Sequence, residues 1–164
     1  MSELRRDALT ERWVIIAEGR SARPDEYSGR PPSRASTECP FCEGNESRTP
    51  PEVAADRSPD TAPNGPGWTV RTIPNRFPTL APTPGLPDPL PSDALFLSEP
   101  GSGVHEVIIE SPHHEPAFPF LPVDQVKGIV RMFRKRMSAV AAQPGMRSVL
   151  LFENHGPESG GTLV

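Results

Sequence analysis

The sequence predicts an α+β fold with a mostly antiparallel sheet and one long covering helix. Several short apolar runs rich in β-branched and aromatic residues are typical of strands, and one longer segment repeats apolar residues at three- and four-residue steps. In addition, 23 prolines and 13 glycines among 164 residues predict long irregular connections. A chain of this length suits one domain and is long enough to bury a core.

Four apolar runs are predicted to be strands. The first runs from Trp13 to Ala17, and the second runs from Trp68 to Ile73, where Pro74 ends it because proline cannot donate to a sheet ladder. The third is 104–110 and the last is 149–152. The order along the chain is therefore strand, strand, strand, helix, strand.

The helix is predicted from Val123 to Ala142. Asp124 complements the N-terminal dipole, and Pro144 with Gly145 ends the segment. Its apolar stripe consists of Val123, Val126, Ile129, Val130, Phe133, Met137 and Val140. A set of basic residues lies mostly off this stripe and is predicted to form a solvated face: Lys127, Arg131, Arg134, Lys135 and Arg136.

Three connections are rich in proline and polar residues, and they are predicted to be mobile loops. They are residues 25–38, 43–67 and 79–103. The charged residues 1–12 are predicted to be a lead-in or turn before the first strand.

Charge and hydropathy exclude several classes of protein. A net charge of -4 and a pI of about 5.6 do not favour nucleic-acid binding through bulk electrostatics. No apolar run reaches the length of a membrane span, and the N-terminal residues lack the apolar core of a signal peptide. A cytoplasmic setting is therefore expected.

The two cysteines, Cys39 and Cys42, argue against a disulfide framework and for a metal or redox site. Their Cys-Pro-Phe-Cys order is similar to a glutaredoxin active site, but the flanking residues do not predict the strand and helix that such a site needs. Half of a tetrahedral zinc site is a second interpretation, and two free thiols in a turn are a third. The candidates for further ligands are His105, His113, His114 and His155, of which His113 and His114 are the best placed.

Two other segments suit phosphate. Arg20 and Arg23, just after the first strand, can present paired guanidinium groups to an anion, although a solvated loop is the commoner use of such residues. The glycine-rich residues 156–162 follow the last predicted strand. Backbone N–H groups can approach a phosphate closely where glycine leaves room, but many such loops are plain turns.

Together, these pieces occur in an order that resembles one enzyme family. From Arg5 to Val164 the chain resembles the N-terminal half of the galactose-1-phosphate uridylyltransferase family, within the histidine-triad-like nucleotide transferases. The resemblance therefore implies a histidine-triad-like fold. Six segments carry it: Arg6-Asp7…Thr10-Glu11-Arg12-Trp13-Val14, Arg20-Ser21-Ala22-Arg23-Pro24, Cys39-Pro40-Phe41-Cys42-Glu43-Gly44-Asn45, Pro74-Asn75-Arg76-Phe77-Pro78, His105-Glu106-Val107-Ile108-Ile109-Glu110-Ser111-Pro112 with His114, and Phe152-Glu153-Asn154-His155-Gly156.

The resemblance implies a role for each matched residue. Cys39, Cys42 and His114 match the family's zinc ligands. The positions that match its nucleotide-binding residues are Arg20 and Arg23 for the phosphates, Asn75 for uridine, and Asn154, Gly160 and Thr162 for the α-phosphate and the reactive centre.

The resemblance also implies a reaction. Family members transfer UMP between UDP-glucose and galactose 1-phosphate by a ping-pong exchange, in which a histidine attacks the α-phosphorus and forms a covalent uridylyl-histidine. Nucleophilic catalysis of this kind divides one difficult transfer into two easier ones. The full-length family is expected to be homodimeric, with no nucleic-acid or membrane partner.

One departure from the family pattern affects the expected activity. In the family the glycine-rich loop continues into a His-Pro-His segment that carries the nucleophile, and this sequence reaches Val164 where that segment is expected. The chain is therefore expected to be an inactive N-terminal domain, truncated before that segment. Poor solubility or self-association is also expected, because a sheet without its neighbouring strands presents unpaired edges and exposed apolar faces. The alternatives are a non-catalytic fragment that binds zinc and nucleotide, and a sister nucleotide-sugar phosphorylase that uses ADP-glucose.

Overall fold

The computed structural model describes residues 2–22, 39–82, 96–114 and 118–154. In this part of the chain the strands are β1 (Glu3–Arg6), β2 (Trp13–Ile16), β3 (Ala54–Arg57), β4 (Trp68–Pro74), β5 (Ser98–Pro100) and β6 (Glu106–Ile109). The helix α1 is Val123–Ala141, and short 3-10 helices occupy Glu18–Ala22, Glu46–Arg48 and Phe118–Phe120. Within the described residues, no helix combines the length and the apolarity needed to cross a membrane.

The chain divides into two compact units. The first comprises residues 1–23 and 77–105, and the second comprises residues 24–76 and 106–164. The first unit contains a sheet of order β2-β1-β5, and the second contains a sheet of order β3-β4-β6. All four strand pairs described are antiparallel, which confirms the predicted class and pairing, but there are two sheets of three strands instead of one.

In the first unit, the charged N-terminal residues form a hairpin instead of the predicted lead-in. Glu3–Arg6 is strand β1, and it pairs with Trp13–Ile16 on one side and Ser98–Pro100 on the other. The turn forms because one oxygen of the Asp7 side chain accepts hydrogen bonds from the backbone N–H groups of Leu9, at 2.9 Å, and Thr10, at 2.6 Å. Pairing with its neighbours and a polar turn define strand β1. Since few of its residues are apolar, the pattern of apolar residues did not predict it.

The second unit has apolar side chains on both faces of its sheet, and a bulge in the β3–β4 pairing separates Trp68 from Val70 although they are only two residues apart. On one face Trp68, Ile73 and Ile109 form a buried cluster with Phe41 packed against it. The other face is covered by α1, as predicted, through a second cluster of Val70, Ile129 and Met132. The sheet is thus a central layer, with α1 on one side and the segment that contains the cysteines on the other.

The helix agrees with the prediction except in its last residue and in its buried face. It ends at Ala141, since Ala142 is the C-cap. Ile129 is fully buried, but Val123 and Val130 of the predicted stripe are 71% and 53% exposed, while Met132, which was not in the stripe, is buried. The stripe is therefore narrower than predicted and turned toward Met132.

The predicted solvated basic face is wrong at one residue. Arg136 donates hydrogen bonds to both carboxylate oxygens of Glu106, with N–O distances of 2.9 Å and 2.7 Å. The two side chains are only 15% and 12% exposed. This bidentate ion pair joins α1 to β6 and raises the pKa of Arg136 through the hydrogen bonds from its guanidinium to Glu106.

The last predicted strand, residues 149–152, is not a strand. These residues have no regular secondary structure, and Leu150 and Phe152 are 81% and 60% exposed. Composition favours extended backbone, but a strand also needs a neighbour to complete its hydrogen bonds, and no described strand pairs with this segment. The element order therefore ends with α1 in the described part of the chain.

Two predicted loops contain regular structure. Residues 43–67 include the 3-10 helix Glu46–Arg48 and strand β3, and residues 79–103 include strand β5. Both strands are short and contain few large apolar residues, so pairing with β4 and β1 defines them. The third predicted loop, 25–38, lies outside the described residues.

Candidate metal centre

Three side chains with metal-ligating atoms converge in the second unit. The sulfur atoms of Cys39 and Cys42 and a ring nitrogen of His114 all lie within 4.8 Å of one another. All three residues are half-buried. The structure thus brings together the three residues that the family resemblance implies as zinc ligands.

The spacing of these atoms fits a tetrahedral zinc site. The Sγ atom of Cys42 lies 3.7 Å from Nδ1 of His114. Zinc–sulfur and zinc–nitrogen bonds of ordinary length, at a tetrahedral angle, would place these two atoms about 3.6 Å apart. Two thiolates and one imidazole are also a donor set that zinc favours, and they leave the fourth position to another ligand.

The turn that carries the cysteines is closed by its own hydrogen bonds. The backbone N–H of Cys42 donates to the carbonyl of Cys39 at 3.3 Å. The side-chain amide of Asn45 donates to the same carbonyl at 2.8 Å. The N–H of Glu43 then donates to the carbonyl of Pro112 at 2.9 Å, and this bond ties the turn to the loop that carries His114.

The protonation state of the thiols bears on metal binding. Burial, together with the charge of Cys39 and a hydrogen bond with it, raises the pKa of Cys42 to about 11. Without a metal, this thiol is therefore protonated at neutral pH. Metal binding requires the thiolate, so it must displace a proton.

The structure distinguishes among the four histidine candidates. His114 faces the cysteines, whereas His113 is exposed to solvent. His105 belongs to the first unit, where its Nδ1 accepts a hydrogen bond from the backbone N–H of Thr79 at 3.0 Å. His155 lies outside the described residues.

The structure does not support the glutaredoxin interpretation of the cysteine pair. The residues after Cys42 form a turn and a 3-10 helix, not the long helix of a glutaredoxin site.

The predicted nucleotide-binding residues are distributed over both units. Arg20 lies in the 3-10 helix Glu18–Ala22 of the first unit and donates from Nη1 to the carbonyl of Phe77 at 2.9 Å. Asn75 directly follows β4 and Asn154 is exposed, both in the second unit. The remaining three predicted residues lie outside the described part of the chain: Arg23, Gly160 and Thr162.

Sequence reasoning missed the two acidic residues that anchor the cysteine turn. Glu43 accepts a hydrogen bond from the N–H of Gly67 at 2.6 Å. Glu46 accepts one from the indole N–H of Trp68 at 2.8 Å. No periodic signal links residues that are 22 to 24 positions apart, although two carboxylates just after a cysteine pair were visible in the sequence.

Glu110, four residues before His114, gives the second unit a pH-dependent stability. Burial, reinforced by the charge of Glu153, raises the pKa of Glu110 to about 7 from an ordinary value of 4.5. The folded chain therefore binds this proton more tightly than the unfolded chain does. Below about pH 4.5 both states are protonated, so stability is lost as the pH rises toward 7 and stays lower above it.

We expect Glu110→Gln to remove this penalty. The variant should be more stable than the original chain at pH 8, by on the order of 1 kcal/mol because Glu110 is only half-buried and solvent screens its charge. The difference should shrink toward pH 5. Urea unfolding followed at several pH values measures it, and an equal gain at pH 5 and pH 8 would contradict the assignment to Glu110.

Comparison with known proteins decides the family. The family model for galactose-1-phosphate uridyl transferase, N-terminal domain, matches residues 1–163. The chain belongs to this family. The resemblance inferred from six short segments is thereby confirmed over almost the whole sequence.

Relatives within the uridylyltransferase family carry two different names. The chain is 30% identical to an ADP-glucose phosphorylase of Arabidopsis thaliana over 98% of its own length and 45% of the relative's. It is also 30% identical to a galactose-1-phosphate uridylyltransferase of Thermotoga maritima, over 99% of its own length and 44% of the relative's. The chain thus spans less than half the length of these relatives.

A solved structure of a relative supports the fold. The crystal structure of an ADP-glucose phosphorylase from Arabidopsis thaliana with bound ADP-glucose is 30% identical to the chain and superimposes with a TM-score of 0.58. The match covers 99% of this chain and 46% of that one. The α+β architecture is therefore shared with a member of the family.

Proposed function

We propose that this chain is the metal-binding and nucleotide-binding half of a UDP-glucose–hexose-1-phosphate uridylyltransferase. Such an enzyme transfers UMP between UDP-glucose and galactose 1-phosphate through a covalent uridylyl-histidine. The observation that carries the proposal is the convergence of Cys39, Cys42 and His114 in a chain of this family. The identity with a galactose-1-phosphate uridylyltransferase supports the choice of substrates.

In this proposal the metal is zinc and its function is structural. Bound zinc would lock the cysteine turn to the loop that carries His114, because a tetrahedral site fixes the directions of its ligands. That loop directly follows β6, so the metal would hold it against the end of the second sheet. The histidine-triad-like fold and the homodimer of the full-length family remain predictions.

The nucleotide-binding residues have a simple electrostatic role in this proposal. Arg20 and Arg23 neutralise phosphate oxygens, and Asn75 holds the uracil nucleoside. Asn154, with Gly160 and Thr162, surrounds the α-phosphate. Donors fixed in place before the reaction stabilise the charge that develops on the phosphoryl oxygens during transfer.

None of the four histidines of this chain is proposed as the nucleophile. The covalent step is assigned to a histidine of the His-Pro-His segment that full-length members carry. The chain by itself is therefore expected to bind a nucleotide sugar without transferring UMP. A non-catalytic protein that binds zinc and nucleotide would show the same behaviour, and the two are separated by activity of a longer chain that includes this segment.

A second candidate function is nucleotide-sugar phosphorolysis with ADP-glucose. It is favoured by the 30% identity with an ADP-glucose phosphorylase and by the related structure that contains ADP-glucose. The two candidates differ in the base that the pocket accepts. They are therefore distinguished by binding, without any need for turnover.

The test is isothermal titration of the zinc-loaded chain with UDP-glucose and, separately, with ADP-glucose. We expect UDP-glucose to bind more tightly, and Arg20→Gln to weaken it by about 10-fold or more, because a hydrogen bond to a charged group contributes about 1.5–3 kcal/mol. Arg12→Gln is the matched control, since Arg12 is an exposed arginine of the β1–β2 turn. Tighter binding of ADP-glucose would favour the second candidate, and absence of heat with either ligand at millimolar concentration would contradict both.

A further inference from the structure

The turn after Cys42 is fastened to the sheet by one buried carboxylate. Glu46 is only 6% exposed. Both of its oxygens lie 3.1 Å from the backbone N–H of Gly44, and one of them also accepts the indole N–H of Trp68 at 2.8 Å. Trp68 is 2% exposed and begins β4, so the core holds its side chain in place.

Gly44 is the part of the turn that needs to be held. Its φ angle is +90°, a left-handed conformation that glycine adopts without a steric penalty but does not keep without support. It lies two residues after Cys42, whose carbonyl accepts the N–H of Asn45 at 3.2 Å. Gly44 is therefore part of the same tight turn as Cys42, and a change of conformation at Gly44 would disturb that turn.

The other half of the centre is fixed separately. The bond from the Glu43 N–H to the Pro112 carbonyl, at 2.9 Å, holds the loop that carries His114 beside the turn. This bond restrains the distance between the two segments, while the contacts of Glu46 restrain the turn itself. The two segments meet at the contact of 3.7 Å between Cys42 Sγ and His114 Nδ1.

The electrostatics favour a charged carboxylate at this position. Burial alone would raise the pKa of Glu46, but the hydrogen bond from Trp68, those from backbone N–H groups and the nearby charge of Arg71 outweigh burial and lower the pKa. An ionised carboxylate accepts several N–H groups at once and binds each more strongly than a neutral amide does. A glutamine would offer one acceptor oxygen and would turn an amino group toward an N–H donor.

We infer that Glu46 is a positioning residue for the Cys39–Cys42–His114 metal centre, which it pre-forms by anchoring the Gly44 turn to Trp68. The inference rests on the proposed zinc site and goes beyond it, because it assigns the geometry of the centre to a residue that is not a ligand. Outer-shell partners of this kind typically change metal affinity by about 10–100-fold when they are replaced.

The test uses Glu46→Gln in the full chain, with zinc affinity measured by competition with a chromophoric chelator. We expect the affinity to fall by about 10–100-fold. The ligand-field absorption of the Co²⁺-substituted chain should shift as well, because it reports on ligand geometry and not on global stability. Trp68→Phe, which keeps the apolar ring and removes the N–H, should weaken zinc binding in the original chain but add little in the Glu46→Gln background.

Glu106→Gln is the matched control. Glu106 is also a largely buried carboxylate that accepts two side-chain N–H bonds, but its partner is Arg136 of α1, and none of its described hydrogen bonds reaches the cysteine turn. It should lower the urea midpoint and leave the zinc affinity within about 3-fold and the Co²⁺ spectrum unchanged. Wild-type zinc affinity in Glu46→Gln, or an equal loss in Glu106→Gln, would overturn the role of Glu46 and leave the proposed metal centre unaffected. Failure of the unaltered chain to bind zinc would overturn the metal centre, and the role of Glu46 with it.

Discussion

Replacing Cys42 by serine is expected to reduce the zinc affinity of the chain by more than the roughly 10–100-fold typical of outer-shell changes. Serine keeps the size of the side chain but supplies a hydroxyl, which does not ionise near neutral pH and is a poor zinc ligand beside a thiolate. Only Cys39 and His114 would remain of the three converging ligands. Equilibrium dialysis with zinc, followed by elemental analysis of the protein, measures the loss.

The two adjacent histidines provide the control for this experiment. His114→Gln should weaken zinc binding as Cys42→Ser does, because its Nδ1 lies 3.7 Å from the Cys42 sulfur. His113→Gln changes an exposed neighbour in the same loop and should leave the affinity unchanged. Equal losses in both histidine variants would show that the loop, and not the ligand, had been disturbed. Unaltered affinity in Cys42→Ser would contradict the metal centre directly.

The metal centre could be predicted only partly from the residues themselves. The spacing of Cys39 and Cys42 indicates a pair of ligands, because two thiolates on one tight turn can meet the same ion. The third ligand was one of four histidines until the family resemblance singled out His114, 72 residues from Cys42. Hydrogen bonds between backbone groups, such as Glu43 to Pro112, bring the two segments together. Such bonds cannot be predicted from the sequence, because nearly every residue carries the same backbone groups.

The fold was predictable where apolar side chains decide the structure. Strands β4 and β6 and helix α1 were predicted close to their observed positions, because their residues supply both buried clusters of the second unit. Strands β1, β3 and β5 were missed, since pairing with a neighbour and not burial defines them. The opposite error occurred at residues 149–152, where apolar composition was present and a pairing partner was not described.

The buried ion pairs of the second unit also could not be predicted from the pattern of apolar residues. These ion pairs predict a large effect on stability. Glu52 accepts hydrogen bonds from Arg57 at 2.8 Å and from Arg71 at 3.0 Å. The Arg71 side chain is 1% exposed, and its Nη2 is buried without a hydrogen-bond partner among the described residues. Its guanidinium therefore depends on the charge of Glu52, together with a bond from Nη1 to the Thr49 hydroxyl at 2.9 Å.

We expect Glu52→Gln to destabilise the second unit by about 3 kcal/mol. Breaking a buried ion pair by removing one partner costs about 3–5 kcal/mol, because the remaining charge is left in a low dielectric. We expect the lower end of this range of free energies, because the charge of Glu46 also lies near Arg71 and partly compensates it. Urea unfolding followed by the fluorescence of buried Trp68 in a Trp13→Phe background, where Trp13 is 45% exposed, measures the loss.

An exposed ion pair of the same unit separates this effect from the loss of any acidic residue. Asp56 and Arg131 are 3.7 Å apart with side chains 48% and 64% exposed, so Asp56→Asn should cost no more than about 1 kcal/mol. Replacing Glu52 and Arg71 together by leucine and methionine should recover part of the stability lost in Glu52→Gln, because the charge of Arg71 is then absent while that of Arg57 still lacks its carboxylate partner. If Glu52→Gln costs no more than Asp56→Asn, water must reach Arg71 in solution, and the network contributes specificity of packing and little stability.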